Sequence, residues 1–323
     1  MAHISHSVLR GLSAFRALLL ASLLLPGIAW AQPAAESCVD TTPAPPPAVP
    51  ATDRGFLWRI DKDGSTSYLY GTLHIGRADW ASPGPQVLAA LQASKVLALE
   101  MDSADPQTMR ALLAGLARQT SQTLAPPLEA RLRQALATSC LPVSMAQAFA
   151  PEVLTSLLVV DGLRRDGFSA ELGIDNLLAQ TAHAAQMPVV GLETPLQQLQ
   201  LLLADSPQER SDGVTEILDD LDSGKARRIL LMTVRMWAEA DHAMLQDYTA
   251  WCECNQTVQD RKMLKAMLDD RNTQMAEGID RLHRQGQPVF AAVGSLHMAG
   301  PLGLPAWMAQ HGYRVQRVEF GAR

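Results

Sequence analysis

Two histidines follow apolar segments in the same short pattern, near opposite ends of the chain. The sequence reads Tyr-Leu-Tyr-Gly-Thr-Leu-His at 68–74 and Val-Phe-Ala-Ala-Val-Gly-Ser-Leu-His at 289–297. Each is an apolar run that ends in Gly-x-x-His, and glycine lets the backbone turn and lets a ligand approach closely. His74 and His297 could therefore meet at one site. The alternative is that each histidine caps its own strand through a local carbonyl group, but the repetition favours one site.

Two glutamates end two further apolar segments. Glu100 follows the apolar residues 96–99, and Glu193 follows residues 188–192. In parallel sheets, functional side chains gather at the carboxyl ends of the strands, so both glutamates are expected beside the two histidines. Asp102 ranks below Glu100 and is left open as a ligand, a hydrogen-bond acceptor behind a ligand, or a solvated acid.

This set of imidazoles and carboxylates indicates metal or acid–base chemistry. Mixed His and Glu ligands suit zinc, manganese, cobalt or iron better than calcium. A metal held by two imidazoles and one carboxylate, with an open position, would lower the pKa of a bound water. The remaining carboxylate could then take the proton as general base.

Arg271 is the candidate for holding a substrate carboxylate or stabilising an oxyanion. Its sequence neighbours favour another interpretation, in which it pairs with Asp269 or Asp270 on a solvated face. His183 is interpreted as a helical histidine that either makes its hydrogen bonds within the fold or lies at the surface. The chain has no His-Glu-x-x-His, Gly-x-Ser-x-Gly, Walker or Gly-x-Gly-x-x-Gly motif, which leaves serine-hydrolase and nucleotide-dependent chemistry without support.

The elements that must position these residues alternate between strands and helices. A β-hairpin around an Asp-Gly turn comes first, then a helical crossover to a buried strand and a helical stretch. A second short strand at 188–193, further long helices and two late strands follow. This order predicts an α/β fold with a mixed, mainly parallel central sheet and flanking helices. A large helical insertion is expected at about 105–185 and 205–285. Residues 55–323 are expected to form a single domain.

The N-terminal residues indicate export. Residues 1–31 combine basic Arg10 and Arg16, an apolar centre and an Ala-Trp-Ala cleavage site, as in a signal peptide. Residues 32–54 are expected to form a Pro-rich tether. We therefore expect a periplasmic or secreted protein that makes no stable membrane insertion after signal cleavage. The oligomeric state is left open.

Charge and cysteine usage agree with an exported protein that does not bind nucleic acid. The formal charge is −6, and loss of two arginines with the signal peptide would make it −8. The chain has no basic run, which argues against a nucleic-acid partner. The four cysteines allow two disulfides and three pairings. Separate partners are favoured for the closely spaced pair, with the first cysteine tying the tail to the body. The four are Cys38, Cys140, Cys252 and Cys254.

The chain resembles the TraB/GumN family, which includes the Tiki proteins, in several stretches between residues 56 and 320. The similar stretches are Leu-Trp-Arg at 57–59, the Gly-x-x-His segment at 68–74, Leu-Ala-Leu-Glu-Met-Asp at 97–102, Gly-Ile-Asp at 173–175, Gly-Leu-Glu-Thr at 191–194, Arg-Asn with Met-Ala at 271–276, and Val-Gly-Ser-Leu-His-Met-Ala-Gly at 293–300. The resemblance implies an α/β core similar to those of erythromycin esterase and the haem-binding ChaN proteins.

The resemblance also implies Tiki-like metal-dependent proteolysis, with manganese or cobalt preferred and zinc possible. By motif, His74 and His297 match the two family histidines and Glu100 matches the acid after the first crossover. Glu193 and Arg271 match other recurrent polar positions. The expected function is an exported metal-dependent hydrolase of a peptide or protein substrate. The alternatives are a non-catalytic protein that binds haem, a metabolite or a peptide in the same cleft, and a regulatory protein.

Overall fold

The computed structural model of the chain describes residues 51–119 and 122–321. The predicted signal peptide, the tether up to residue 50, and Cys38 lie outside these residues. The strands are β1 (Phe56–Lys62), β2 (Ser65–Thr72), β3 (Val96–Leu99), β4 (Val189–Gly191), β5 (Val289–Gly294) and β6 (Arg314–Val318).

The α-helices are distributed around these strands. In chain order they are α1 (Pro85–Gln92), α2 (Pro106–Leu116), α3 (Pro126–Ala137), α4 (Met145–Ala148), α5 (Pro151–Asp161), α6 (Ile174–Ala184), α7 (Pro195–Leu202), α8 (Pro207–Asp222), α9 (Lys225–Ala238), α10 (His242–Gln246), α11 (Tyr248–Trp251), α12 (Val258–Leu264), α13 (Asp270–Arg284) and α14 (Leu304–Gln310). In the described part of the chain, 3₁₀ turns lie at Ala78–Trp80, Arg164–Asp166 and Ser295–Met298, and Lys265–Asp269 is π-helical.

The six strands form one sheet in the order β4-β3-β5-β2-β1-β6. The pairs β3/β4, β3/β5 and β2/β5 are parallel, whereas β1 pairs antiparallel with both β2 and β6. Strand β5 therefore lies between β2 and β3, with Phe290 opposite both Tyr68 and Leu97. The predicted mixed, mainly parallel α/β fold with flanking helices is confirmed.

The hairpin that opens the sheet forms as its sequence predicts. Strands β1 and β2 are joined by Asp63 and Gly64, which both have positive φ, 51° and 76°. Two residues of positive φ make the type I′ turn, whose twist matches that of the flanking strands. This hairpin delivers Thr72 and the following histidine to one edge of the sheet.

Buried apolar side chains form two clusters. The larger cluster surrounds the sheet, and the smaller one lies among helices of the two long stretches that separate β3 from β4 and β4 from β5. Among the described residues, no helix is long and apolar enough to cross a membrane. The helical stretches thus have a core of their own packed beside the sheet.

The expectation of separate partners for Cys252 and Cys254 is wrong, because the two form a disulfide with each other. A strand would place alternate Cα atoms about 6.6 Å apart, which is at the long end of the range for a disulfide. Glu253, however, has a φ of 54°. The turn at this residue brings the two Cα atoms to 5.1 Å. Cys140 is also disulfide-bonded.

Candidate functional site

Three of the predicted residues meet at the carboxyl edge of the three central strands. His74 lies just beyond β2, Glu100 just beyond β3, and His297 in the 3₁₀ turn after β5. Nε2 of His74 is 3.8 Å from Oε1 of Glu100, and Nε2 of His297 is 3.7 Å from the same oxygen. The two histidines therefore face one carboxylate oxygen. The arrangement follows from strand order, because β3, β5 and β2 are parallel neighbours.

Gly294 lies at the centre of this group. Its backbone N–H donates to Oε1 of Glu100 at 2.8 Å. A Cβ on this residue would lie 3.1 Å from Oε1 of Glu100, 3.5 Å from Nε2 of His74 and 3.7 Å from Cδ2 of His297. Its φ of −50° is open to other residues, so close approach rather than turning explains the glycine.

The Nδ1 atom of each histidine is hydrogen-bonded to a buried side chain. Nδ1 of His74 donates to Oδ2 of Asp175 at 2.6 Å, and the Thr72 hydroxyl donates to Oδ1 of the same carboxylate. Nδ1 of His297 lies 2.7 Å from Oδ1 of Asn272 and donates to it. Because both Nδ1 atoms are used in this way, both Nε2 atoms are left to face Glu100.

A buried ion-pair cluster lies behind Glu100. Nη2 of Arg271 donates to Oε2 of Glu100 at 2.5 Å and to Oε2 of Glu193 at 2.5 Å. Its Nε donates to Oε1 of Glu193 at 2.7 Å. Nε2 of Gln198 donates to Oε2 of Glu193 at 2.6 Å and to Oε2 of Glu100 at 3.3 Å. The guanidinium thus bridges the two glutamates predicted as site residues.

Local structure explains why Arg271 points inward. The chain is π-helical at Lys265–Asp269, and the Met267 carbonyl accepts from Nη1 of Arg271 at 2.8 Å. π-Helical turns are rare and frequently mark functional sites. Asp270 pairs with Lys265 instead. The interpretation of Arg271 as a surface partner of its neighbouring aspartates is therefore wrong.

The helix after Glu193 starts where the sequence places it. Thr194 accepts from the Gln197 backbone N–H and the Gln197 side chain accepts from Thr194, which makes a capping box with Pro195 in the first turn. The chain therefore turns into α7 directly after Glu193. This places Gln198 in the first turns of α7, within reach of both glutamates.

The environments of the two histidines differ in charge. Burial lowers the pKa of His74, but the charge and hydrogen bond of Asp175, with Glu100, outweigh it and raise the pKa to about 9. Burial, together with the positive charge of Arg271, lowers the pKa of His297 to about 3. For Glu100, burial acts to raise the pKa, but Arg271 and the two histidines outweigh it and lower the pKa.

A small cavity opens beside these residues. Its volume is ≈ 50 Å³, room for a few water molecules, since about 10–15 Å³ is enough for one. Its polar lining includes His74, Glu100 and His297. The apolar side chains that line it are Leu73, Met267, Leu268 and Leu296. The two histidines and the carboxylate thus share a small space with apolar side chains.

The donor set fits a divalent transition metal in type, charge and hydrogen bonding. Two imidazoles with anchored Nδ1 atoms and one carboxylate are common ligands. A metal would have to displace the proton that the raised pKa keeps on His74. With both histidines then neutral, three carboxylates against one guanidinium leave a formal charge of −2. Tetrahedral zinc holds ligand atoms about 3.3 Å apart. The separations of 3.7 and 3.8 Å would have to shorten by a few tenths of an ångström. Within residues 51–119 and 122–321, no three or more His, Cys, Asp or Glu side chains already surround a metal position.

One polar residue singled out from the sequence lies outside the site, and three residues that belong to it were not predicted. Asp102 lies outside the group, where Nε2 of His183 is 2.9 Å from its Oδ2. Sequence reasoning missed Asp175, Asn272 and Gln198. The first two stand within the family-like stretches at 173–175 and 271–276, which was the available signal. No sequence signal marked Gln198, because it is one polar residue among several in an amphipathic helix.

Comparison with known proteins gives one match. The family model described as the TraB/PrgY/gumN family matches residues 56–317. This range covers most of the chain and includes both Gly-x-x-His segments and every side chain of the site. Neither a curated protein nor a solved structure matches the chain.

Proposed function

We propose, from the premise that the chain belongs to the TraB/PrgY/gumN family, that it is an exported metal-dependent hydrolase of peptide bonds. One observation carries the proposal: two histidines with anchored Nδ1 atoms aim their Nε2 atoms at one oxygen of Glu100. The signal-like segment at 1–31 supports export to the periplasm or the exterior. A peptide or protein is the proposed substrate.

His74, His297 and Glu100 would hold the metal. When bound, manganese, cobalt or zinc would supply a Lewis acid that makes water nucleophilic near neutral pH. The chain itself keeps Glu100 in place, since the Gly294 N–H holds Oε1 and the Arg271 guanidinium holds Oε2. The apolar side chains that line the cavity lower the local polarity, which strengthens the electrostatic interactions beside them.

Glu193 and Arg271 support the site instead of contacting the substrate. Both oxygens of Glu193 accept from Arg271, and one also accepts from Gln198. Neither Glu193 nor Arg271 lines the cavity. We therefore assign them to holding Glu100, in place of the acid–base and oxyanion roles that the sequence suggested.

Metal content and peptide cleavage test the proposal. The wild-type chain, loaded with manganese or cobalt, is expected to bind metal stoichiometrically and to cleave members of a peptide library. The double variant His74→Ala/His297→Ala is expected to lose both, with metal affinity at least about 100-fold lower. His183→Ala is the matched control, because His183 pairs with Asp102 outside the site and should keep wild-type affinity.

Two results would contradict the proposal. One is equal metal affinity in the wild type and the double variant. The other is stoichiometric metal without cleavage of any peptide, which would favour binding without turnover.

A further inference from the structure

We infer that Asp175 and Asn272 are positioning residues of the metal centre and that they make its two histidines unequal as ligands. The inference rests on the proposed function, because it concerns the same centre. His74 and His297 stand in the same Gly-x-x-His pattern, yet a carboxylate backs one and a carboxamide backs the other.

The orientation of Asn272 is fixed by a second contact. Its Nδ2 donates to the Leu302 carbonyl at 2.9 Å. A carbonyl group can only accept, so the amide nitrogen must face Leu302 and Oδ1 must face His297. Oδ1 therefore accepts from Nδ1–H of His297, and Nε2 of this buried ring keeps its lone pair toward the cavity.

Asp175 orients His74 through a hydrogen bond and also places a negative charge beside it. Its Oδ2 accepts from Nδ1 of His74 at 2.6 Å, and its Oδ1 accepts from the fully buried Thr72 hydroxyl. Asp175 is itself buried, with 7% of the residue's surface exposed. A carboxylate behind an imidazole fixes the ring and makes its other nitrogen a stronger donor to a metal.

The two partners thus do different things. Asp175 orients His74 and adds negative charge to the centre. Asn272 orients His297 without charge and ties it to the chain at Leu302, five residues beyond that histidine. Removing only the charge of Asp175 should therefore weaken metal binding, whereas Asn272 should matter through its hydrogen bonds.

Four variants separate charge from shape. Asp175→Asn keeps the shape and removes the charge, Asp175→Ala removes both, and Asn272→Leu keeps the bulk and removes both hydrogen bonds. Asp102→Asn is the matched control, because it makes the same change in an Asp–His pair outside the centre.

The readout is the dissociation constant of Mn²⁺ alone, measured by competition with a chelator, together with the visible absorption spectrum of the Co²⁺-loaded protein. Asp175→Asn is expected to weaken Mn²⁺ binding about 10-fold, and Asp175→Ala and Asn272→Leu by up to about 100-fold. The cobalt spectrum should change in all three. Asp102→Asn should keep both the wild-type affinity and the wild-type spectrum.

The outcomes separate this inference from the proposed function. Wild-type protein that binds metal, with unchanged affinity and cobalt spectrum in Asp175→Asn and Asn272→Leu, would overturn the inference and leave the proposed function standing. Wild-type protein that binds neither Mn²⁺ nor Co²⁺ would overturn both. If the larger changes prevent folding, the isosteric Asp175→Asn variant decides. A lower melting temperature with unchanged affinity of the folded protein also counts against a positioning role.

Discussion

Replacing Arg271 with methionine is expected to lower the free energy of unfolding by about 3–5 kcal/mol. Arg271 is buried, and its guanidinium is shared by the buried carboxylates of Glu100 and Glu193. Without it, two carboxylates that accept from one nitrogen would face each other with no cation between them. The loss of one partner of a buried ion pair is costly because the desolvated charge stays behind.

Urea unfolding measures this loss, and the chain supplies a matched control. Arg131 also pairs with two carboxylates, Asp219 and Asp222, but at the surface. Arg131→Met should therefore cost no more than about 1 kcal/mol. Adding Glu193→Gln to Arg271→Met should recover part of the loss, since one of the two opposed charges is then removed. If Arg271→Met costs as little as Arg131→Met, Arg271 does not compensate the buried charges of Glu100 and Glu193.

The strand ends of this site were predictable because they depend on local pattern. Apolar runs that end in Gly-x-x-His or Glu indicate buried parallel strands. The carboxyl ends of such strands lie along the same edge of the sheet. The order β3-β5-β2 then brings His74, Glu100 and His297 together. The Asp-Gly hairpin was predictable for the same reason, since two residues determine its turn.

The hydrogen-bond and ion-pair partners of these residues were not predictable from the sequence, because tertiary packing determines which distant residues meet. Asp175 is 101 positions from His74, and Glu100 is 171 positions from Arg271. For Arg271 the local signal was misleading, since two aspartates precede it directly and yet the π-helical turn directs its side chain inward. The disulfide between Cys252 and Cys254 was missed likewise, because it depends on the positive φ of Glu253.

The repeated motif also conceals a difference that matters for chemistry. From the sequence, His74 and His297 are equivalent residues at the ends of two strands. In the structure, the negative charge of Asp175 adjoins one ring, whereas burial, together with the positive charge of Arg271, lowers the pKa of the other. Equivalent positions in a motif therefore do not imply equivalent roles, because the charge around a side chain comes from elements far along the sequence.

Replacing Gly294 with alanine is expected to weaken metal binding by about 100-fold, the upper end of the range for changes beside the ligands of a metal, and to abolish peptide cleavage. The new methyl group would lie 3.1 Å from Oε1 of Glu100 and 3.5 Å from Nε2 of His74. It would occupy the space that a metal ion and its water need between these groups. The fold should survive, since the backbone φ and ψ of −50° and 136° suit alanine, and slight overpacking costs about 1–3 kcal/mol.

The control for Gly294→Ala is Gly162→Ala, which adds the same methyl group at the end of α5. Its Cβ would lie 3.3 Å from the Val159 carbonyl oxygen, a similarly close contact outside the site, and its φ of −57° also suits alanine. Chelator competition should show wild-type Mn²⁺ affinity for this control and a large loss for Gly294→Ala, while both fold. Wild-type affinity in Gly294→Ala would mean that the metal does not lie between His74 and Glu100. The centre would then have to be sought elsewhere along the sheet edge, because a methyl group and a metal ion cannot share this space.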